Sequence, residues 1–168
     1  SSRGFDKYFS TLEEFMTNIP NVIFLNKIIS EGQMNYLYSL ANVYVSLHKS
    51  EGFGLTLAEA MSRGILTIGT GYSGNLDFMT PENSLLINYK KAATPIDDGI
   101  YPQYGIWAEP DINHAVQTLK NVYQNFQQYH SMSELGKMQI LENFSLKAVS
   151  NLISRRLNEI KDEHFRKS

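Results

Sequence analysis

The chain has 168 residues, 42% of them hydrophobic, enough for one domain with a core and incompatible with a disordered, collagen-like or disulfide-stapled chain. A formal net charge of -2 excludes a strongly electrostatic nucleic-acid partner, and the lack of cysteine excludes thiolate catalysis, cysteine-ligated zinc and disulfides. No apolar stretch approaches the roughly 20 residues of a membrane span, and the lack of cysteine fits a reducing compartment, with a cytoplasmic location expected.

In chain order, the start at Ser1-Ser2-Arg3-Gly4, without an initiator Met, reads as a fragment or processed product. The first 20 residues read as one amphipathic helix. Val22-Ile23-Phe24-Leu25 is too short for a helix and rich in β-branched and aromatic residues, which predicts a buried strand. Gln33 to Ala41 has helical spacing, with Met34, Leu37, Tyr38 and Ala41 apolar, and Val43 to Leu47 is a second strand. Gly52-Phe53-Gly54 turns the chain into a helix from Leu55 to Arg63, and Gly64 supplies its stop. Ile65 to Ile68 and Leu85-Leu86-Ile87 complete four strands, separated by the turn-rich segment from Gly69 to Asn75.

Lys90 to Pro110 reads as a long loop with an aromatic cluster of Tyr101, Tyr104 and Trp107. From Asp111 the pattern is helical, and Ile112, Ala115, Val116, Leu119, Val122, Tyr123 and Phe126 form a stripe expected in the core. Glu109 and Asp111 read as a helix start. Ser131-Met132-Ser133-Glu134 matches a capping box, and Ser145 can cap a last helix. The alternation of strands and helices predicts an α/β fold, a Rossmann-like parallel sheet flanked by helices with a helical C-terminal tail. Residues 1–168 are expected to form a single domain.

The stretch His48 to Met61 carries the chemistry. It follows a strand and opens a helix, where open α/β sheets bind ligands. Gly52 and Gly54 let a phosphate or sugar approach the backbone, and the N–H groups around Gly54, Leu55 and Thr56 can hold an anion. Glu51 and Glu59 flank the turn with seven residues between them. A carboxylate accepts hydrogen bonds from two neighbouring hydroxyls, so Glu59 suits a ribose diol and Glu51 the hydroxyls of a sugar. Lys49 is a candidate point charge for a diphosphate, and Ser73, Gly74 and Asn75 are candidates to line a sugar site at the next strand end. His48 reads as a packed or surface histidine rather than a proton donor.

Glu51 and Glu59 with Gly52-Phe53-Gly54 between them resemble the E-x7-E motif of the retaining family 4 glycosyltransferases. Ala60-Met61, Gly64, Thr67 to Thr70 and Ser73-Gly74 continue that pattern, and Leu37 to Ser46 matches its helix-strand lead-in. The resemblance is strong over Asn21 to Asn88. It implies the C-terminal, donor-binding half of a GT-B fold, truncated at its N-terminal edge, with the acceptor domain absent. It also implies metal-independent transfer from a nucleotide-sugar with retention and no cofactor. By the same resemblance Glu51 binds the transferred sugar and serves catalysis, and Glu59 binds the ribose. Backbone groups of Phe53, Gly54, Leu55 and Thr56 hold sugar and diphosphate, while Asn26, Lys27 and Ile28 mark the base pocket. The family's diphosphate-binding Arg/Lys pair follows a first strand, so Arg3 and Lys7 are not given that role.

The whole enzyme would serve glycan or lipid-linked assembly, with peripheral association at the cytoplasmic face of a membrane. The competing readings are a non-catalytic nucleotide- or sugar-binding module, an α/β interaction domain of flavodoxin or receiver type, and a GT-B sugar epimerase.

Overall fold

The computed structural model describes residues 11–94 and 105–165, with side chains described to residue 162. It forms two compact units, Ser1–Tyr36 and Leu37–Ser168. In the first, residues 11–17 form helix α1. Residues 22–25, expected as a buried strand, form none, and Ile23 is 84% exposed. A strand exists only as part of a ladder, and among the described residues no strand pairs with this run. Helix α2 (Glu31–Leu40) opens with a reciprocal capping box. Gln33 N–H donates to Ser30 Oγ at 3.3 Å, and Ser30 N–H donates to Gln33 Oε1 at 2.9 Å.

The second unit is built on a parallel sheet of β1 (Val43–Ser46), β2 (Leu66–Thr70) and β3 (Leu85–Ile87), in that order. Val43 pairs with Leu66 and Ile68 with Leu85. Helix α3 (Leu55–Ser62) crosses from β1 to β2. It ends in a Schellman motif: Ile65 N–H bonds Ala60 O at 3.2 Å and Gly64 N–H bonds Met61 O at 2.9 Å. Gly64 has φ +74, which explains the glycine at the stop that the sequence places there.

All of β2 is buried, and its side chains alternate between two cores. Leu66 and Ile68 join Ile87, Ala115 and Val122 on one face. Leu57, Ala58, Met61, Phe78, Met79 and Ile140 form the other core, with Phe53 and Phe144 against it. Each large side chain fully removed from water there contributes about 1.5–3 kcal/mol. Gly136 lets α5 (His130–Asn143) close on this core, since a Cβ there would lie 2.9 Å from Asn83 O.

The segment expected to be a long loop contains strands. β4 (Tyr89–Ala93) and β5 (Ile106–Pro110) form an antiparallel pair, with Tyr89 opposite Pro110 and Ala93 opposite Ile106. The burial of β4 is partial, and Lys90 and Lys91 face outward, so it lacks the apolar run that marks a buried strand. Trp107 lies in β5, while Tyr101 and Tyr104 lie outside the described residues.

Helix α4 (Ile112–Asn125) starts as expected, with Asp111 accepting from His114 N–H at 3.0 Å. Its stripe is only partly core. Ala115 and Val122 are buried, but Tyr123 is 90% exposed and Ile112, Val116, Leu119 and Phe126 also face outward. The helix is amphipathic, yet the sheet face it lies on covers only part of that stripe. The expected capping box at Ser131 is not used: α5 begins at His130 without a side-chain cap, which puts Ser131 inside the helix. Ser145 does cap α6 (Leu146–Phe165), accepting from Ala148 N–H at 3.3 Å.

Candidate functional site

β1 and β2 end side by side, and the loops that leave them meet over their carboxyl ends. The contact is backbone on backbone. A Cβ at Gly74 would fall inside the van der Waals shell of the Gly52 carbonyl and 3.0 Å from Phe53 N, so only glycine fits. Beside it, Ser73 sits at φ 72, ψ −149, a region almost reserved for glycine that costs a side chain about 1–3 kcal/mol. Its hydroxyl holds the strain in place. Ser73 Oγ donates to Glu51 O at 3.0 Å and accepts from Glu51 N–H at 2.8 Å. Gly74 N–H donates to the same carbonyl at 3.2 Å.

With its backbone fixed, Glu51 projects a half-buried side chain whose carboxylate has no hydrogen-bond or ion-pair partner among the described residues. Phe53 next to it faces inward, its ring 4.9 Å from Phe78 and 5.5 Å from Phe144. That anchor leaves only the backbone of Phe53 toward the loop. Gly54 is left-handed at φ 92, and helix α3 begins after it without any side-chain cap. The first N–H groups of an α-helix have no partner within the helix, so Leu55 and Thr56, both exposed, present donors and the positive end of the dipole.

Glu59 lies further along α3 and is exposed. Tyr38, only 6% exposed, stands beside it at the end of α2. Its hydroxyl donates to Thr56 O at 3.3 Å, and the Glu59 carboxylate lies near enough to act on it electrostatically. Burial, then the negative charge of Glu59, pushes the Tyr38 hydroxyl up to about 12. Arg63 closes the group: its guanidinium lies 4.5 Å over the Tyr38 ring and bonds Glu59 O at 2.8 Å. The sequence gives Tyr38 as an apolar helix position; the signal it held was a hydroxyl on a buried ring, which needs a partner.

Lys49 is turned toward β5. Its ammonium lies 2.6 Å from Glu109 and 4.4 Å from the centre of the Trp107 ring, and Ala108 N–H bonds Lys49 O at 2.8 Å. Both partners of the ion pair are more than 40% exposed, so it contributes little to stability. Asn75 is fully buried, its amide donating to Thr70 O at 3.0 Å, which makes it a link in the core rather than a lining residue. The structure thus brings together Glu51, Gly52, Ser73 and Gly74, with Gly54, Leu55 and Thr56 at the helix start. Asn26, Lys27 and Ile28 belong to the unit Ser1–Tyr36, where they are exposed and irregular. Arg3 and Lys7 lie outside the described residues. Among the described residues no group of three or more His, Asp or Glu side chains could hold a metal ion, and no helix is long and apolar enough to cross a membrane.

The family model for glycosyl transferases group 1 matches residues 4–100. A search of curated proteins gives no match. Among solved structures, the GtfA/B complex is similar at 26% identity and a TM-score of 0.66, over 94% of this chain and 28% of that one. HepE from Anabaena, solved in complex with UDP and glucose, is similar at 14% identity and a TM-score of 0.68, over 93% of this chain and 38% of that one. The C-terminal domain of a glycosyl transferase group 1 family protein from Francisella tularensis is similar at 16% identity and a TM-score of 0.61, over 86% of this chain and 65% of that one. The chain therefore spans less than two thirds of the length of each. The parallel sheet flanked by helices, with its helical C-terminal stretch, is the α/β arrangement of these GT-B glycosyltransferases.

Proposed function

The chain belongs to the glycosyl transferases group 1, and we propose that it is the donor-binding domain of a retaining glycosyltransferase of family 4. The donor is a nucleotide-sugar, and a hexose passes from it to a glycan or lipid-linked acceptor. One observation carries this reading. At the carboxyl ends of two adjacent parallel strands, the Gly52 and Gly74 backbones touch, and beside them an uncapped helix start lies between two carboxylates.

Each part has a task in that reading. The N–H groups of Gly54, Leu55 and Thr56 hold the diphosphate, as helix starts hold anions. Glu51 accepts hydrogen bonds from the hydroxyls of the transferred sugar and stands nearest the reacting carbon. Glu59 takes the ribose diol, with the buried Tyr38 beside it. A carboxylate is tolerated near the diphosphate because it accepts from hydroxyls and does not face the phosphates. Lys49, Ser73 and Gly74 border the sugar and phosphate positions. Transfer proceeds without a metal, the acceptor is held by a separate N-terminal domain, and the enzyme works at the cytoplasmic face of a membrane.

Ligand-observed NMR with UDP, GDP, ADP and their hexose conjugates tests this, run beside Glu59→Ala. One nucleotide series is expected to bind, and the variant to weaken it by about 1–3 kcal/mol. No binding of any series at millimolar concentration ends the donor reading. Binding that Glu59→Ala leaves unchanged removes Glu59 from it.

A further inference from the structure

His48 lies just past the end of β1, and its ring bridges to the loop that leaves β2. Nε2 is 3.2 Å from Tyr72 O and 3.1 Å from Asn75 Oδ1, while Nδ1 is 3.3 Å from Ser46 Oγ. These contacts determine where the ring proton sits. A backbone carbonyl can only accept. Asn75 has committed its amide nitrogen to Thr70 O at 3.0 Å, so the atom it turns to His48 is its acceptor oxygen. Two acceptors facing one nitrogen require a proton on Nε2. In the neutral ring Nδ1 then accepts the hydroxyl of Ser46.

The position of Tyr72 O gives this bond its consequence. That carbonyl shares a peptide plane with Ser73 N, and the rotation of that plane about the next bond is the φ of Ser73. His48 therefore grips the peptide whose orientation sets the strained φ of 72. From the other side it grips Asn75, which follows Gly74. The Ser73 hydroxyl reaches both polar groups of Glu51 only while that strained turn is kept.

We propose that His48 is a positioning residue of the donor site, an Nε2–H donor that fixes the Tyr72–Asn75 turn so that Ser73 can hold Glu51. Its effect on donor binding rests on the donor-binding reading above; its effect on the loop does not. Glutamine can place an N–H donor where Nε2 lies, and asparagine reaches only as far as Nδ1. The comparison of His48→Gln with His48→Asn therefore isolates the donor from the bulk of the ring.

The experiment is amide hydrogen exchange at Glu51 in the wild type and both variants, with folding checked by circular dichroism, joined to long-range proton–nitrogen NMR of the His48 ring. Expected are a proton-bearing Nε2 in the wild type, a loss of Glu51 protection by about tenfold or more in His48→Asn, and recovery to within about threefold in His48→Gln. A proton found on Nδ1 alone overturns the proposal, as does equal Glu51 protection in all three proteins or equal loss in both variants. Titration with the nucleotide-hexose series then separates the two readings. If Glu51 responds as stated while the wild type binds no donor, the loop role stands and the donor reading fails.

Discussion

The Ser73 side chain holds both backbone polar groups of Glu51, accepting from its N–H at 2.8 Å and donating to its carbonyl at 3.0 Å. One hydroxyl thus ties the loop after β2 to the loop after β1, and does so from a backbone conformation that serine rarely adopts. The bonds compensate the strain, and the strain aims the hydroxyl. Glu51 gains a fixed backbone, while its carboxylate has no partner among the described residues.

This pairing separates two substitutions of similar size. Ser73→Ala loses both bonds and keeps the strain, and should cost about 2 kcal/mol of stability. Ser73→Gly loses the same bonds but releases the strain, and should be more stable than the alanine variant by about 1 kcal/mol. Urea denaturation measures both; equal midpoints would mean that the conformation at Ser73 carries no strain.

The two glycines that touch should respond unequally to alanine. At Gly74 the new methyl group meets the Gly52 carbonyl, a backbone atom that moves only with its whole loop, so a loss of about 3 kcal/mol is expected. At Gly52 a Cβ meets nothing within 4 Å, and stability should change by less than about 0.5 kcal/mol. A weakened donor affinity in Gly52→Ala, with its melting temperature unchanged, would place the ligand against that exposed glycine. Titration and calorimetry on the same sample decide it.

Tyr38 predicts an alkaline dependence. Its hydroxyl rises from 10.0 to about 12 in the folded protein, through burial first and Glu59 second. Below pH 10 the tyrosine keeps its proton in both states, and its contribution is fully present. Between about pH 10 and 12 the unfolded chain releases that proton while the folded chain retains it. Stability is therefore lost as pH rises through this window, by about 2–3 kcal/mol in all. Tyr38→Phe should remove this part of the slope, at a neutral-pH cost of about 1 kcal/mol for the lost hydrogen bond to Thr56 O. Denaturation curves from pH 8 to 12 check both; identical slopes in the two proteins would contradict the assignment.

Thr70 offers a stabilising change. Its hydroxyl is buried at the end of β2 and has no hydrogen-bond partner among the described residues. Thr70→Val keeps the shape and removes the unpaired group, so a gain of about 1 kcal/mol is expected from thermal unfolding. A loss instead would show that the hydroxyl is solvated or paired in solution.

The elements legible in the sequence are those whose signal is local. Gly64 ends α3 because a Schellman motif needs a left-handed residue at that position, and Asp111 and Ser145 cap their helices through bonds three residues long. Ser30 and Ser131 carry the same capping pattern, yet only Ser30 uses it, because α5 already begins at His130. The pair β4 and β5 is illegible for another reason. Its stability comes from a ladder between strands separated by more than ten residues, and its outward lysines imitate a loop.

For the candidate site the division follows the same line. The sequence by itself determined the strand, the glycine turn, the helix start and the two carboxylates that flank it, since all fall within one short stretch and local backbone geometry orders them. Only the tertiary structure decided that Ser73 clasps Glu51 across 22 residues, that His48 reaches Tyr72 and Asn75 across 24 and 27, and that Tyr38 meets Thr56 across 18. It also turned Lys49 toward Glu109, 60 residues away. Such contacts depend on the register of β1 against β2 and on the cores that hold α3 and the β4–β5 pair in place. No spacing along the chain encodes that register, because it is set by the packing of side chains drawn from the whole unit.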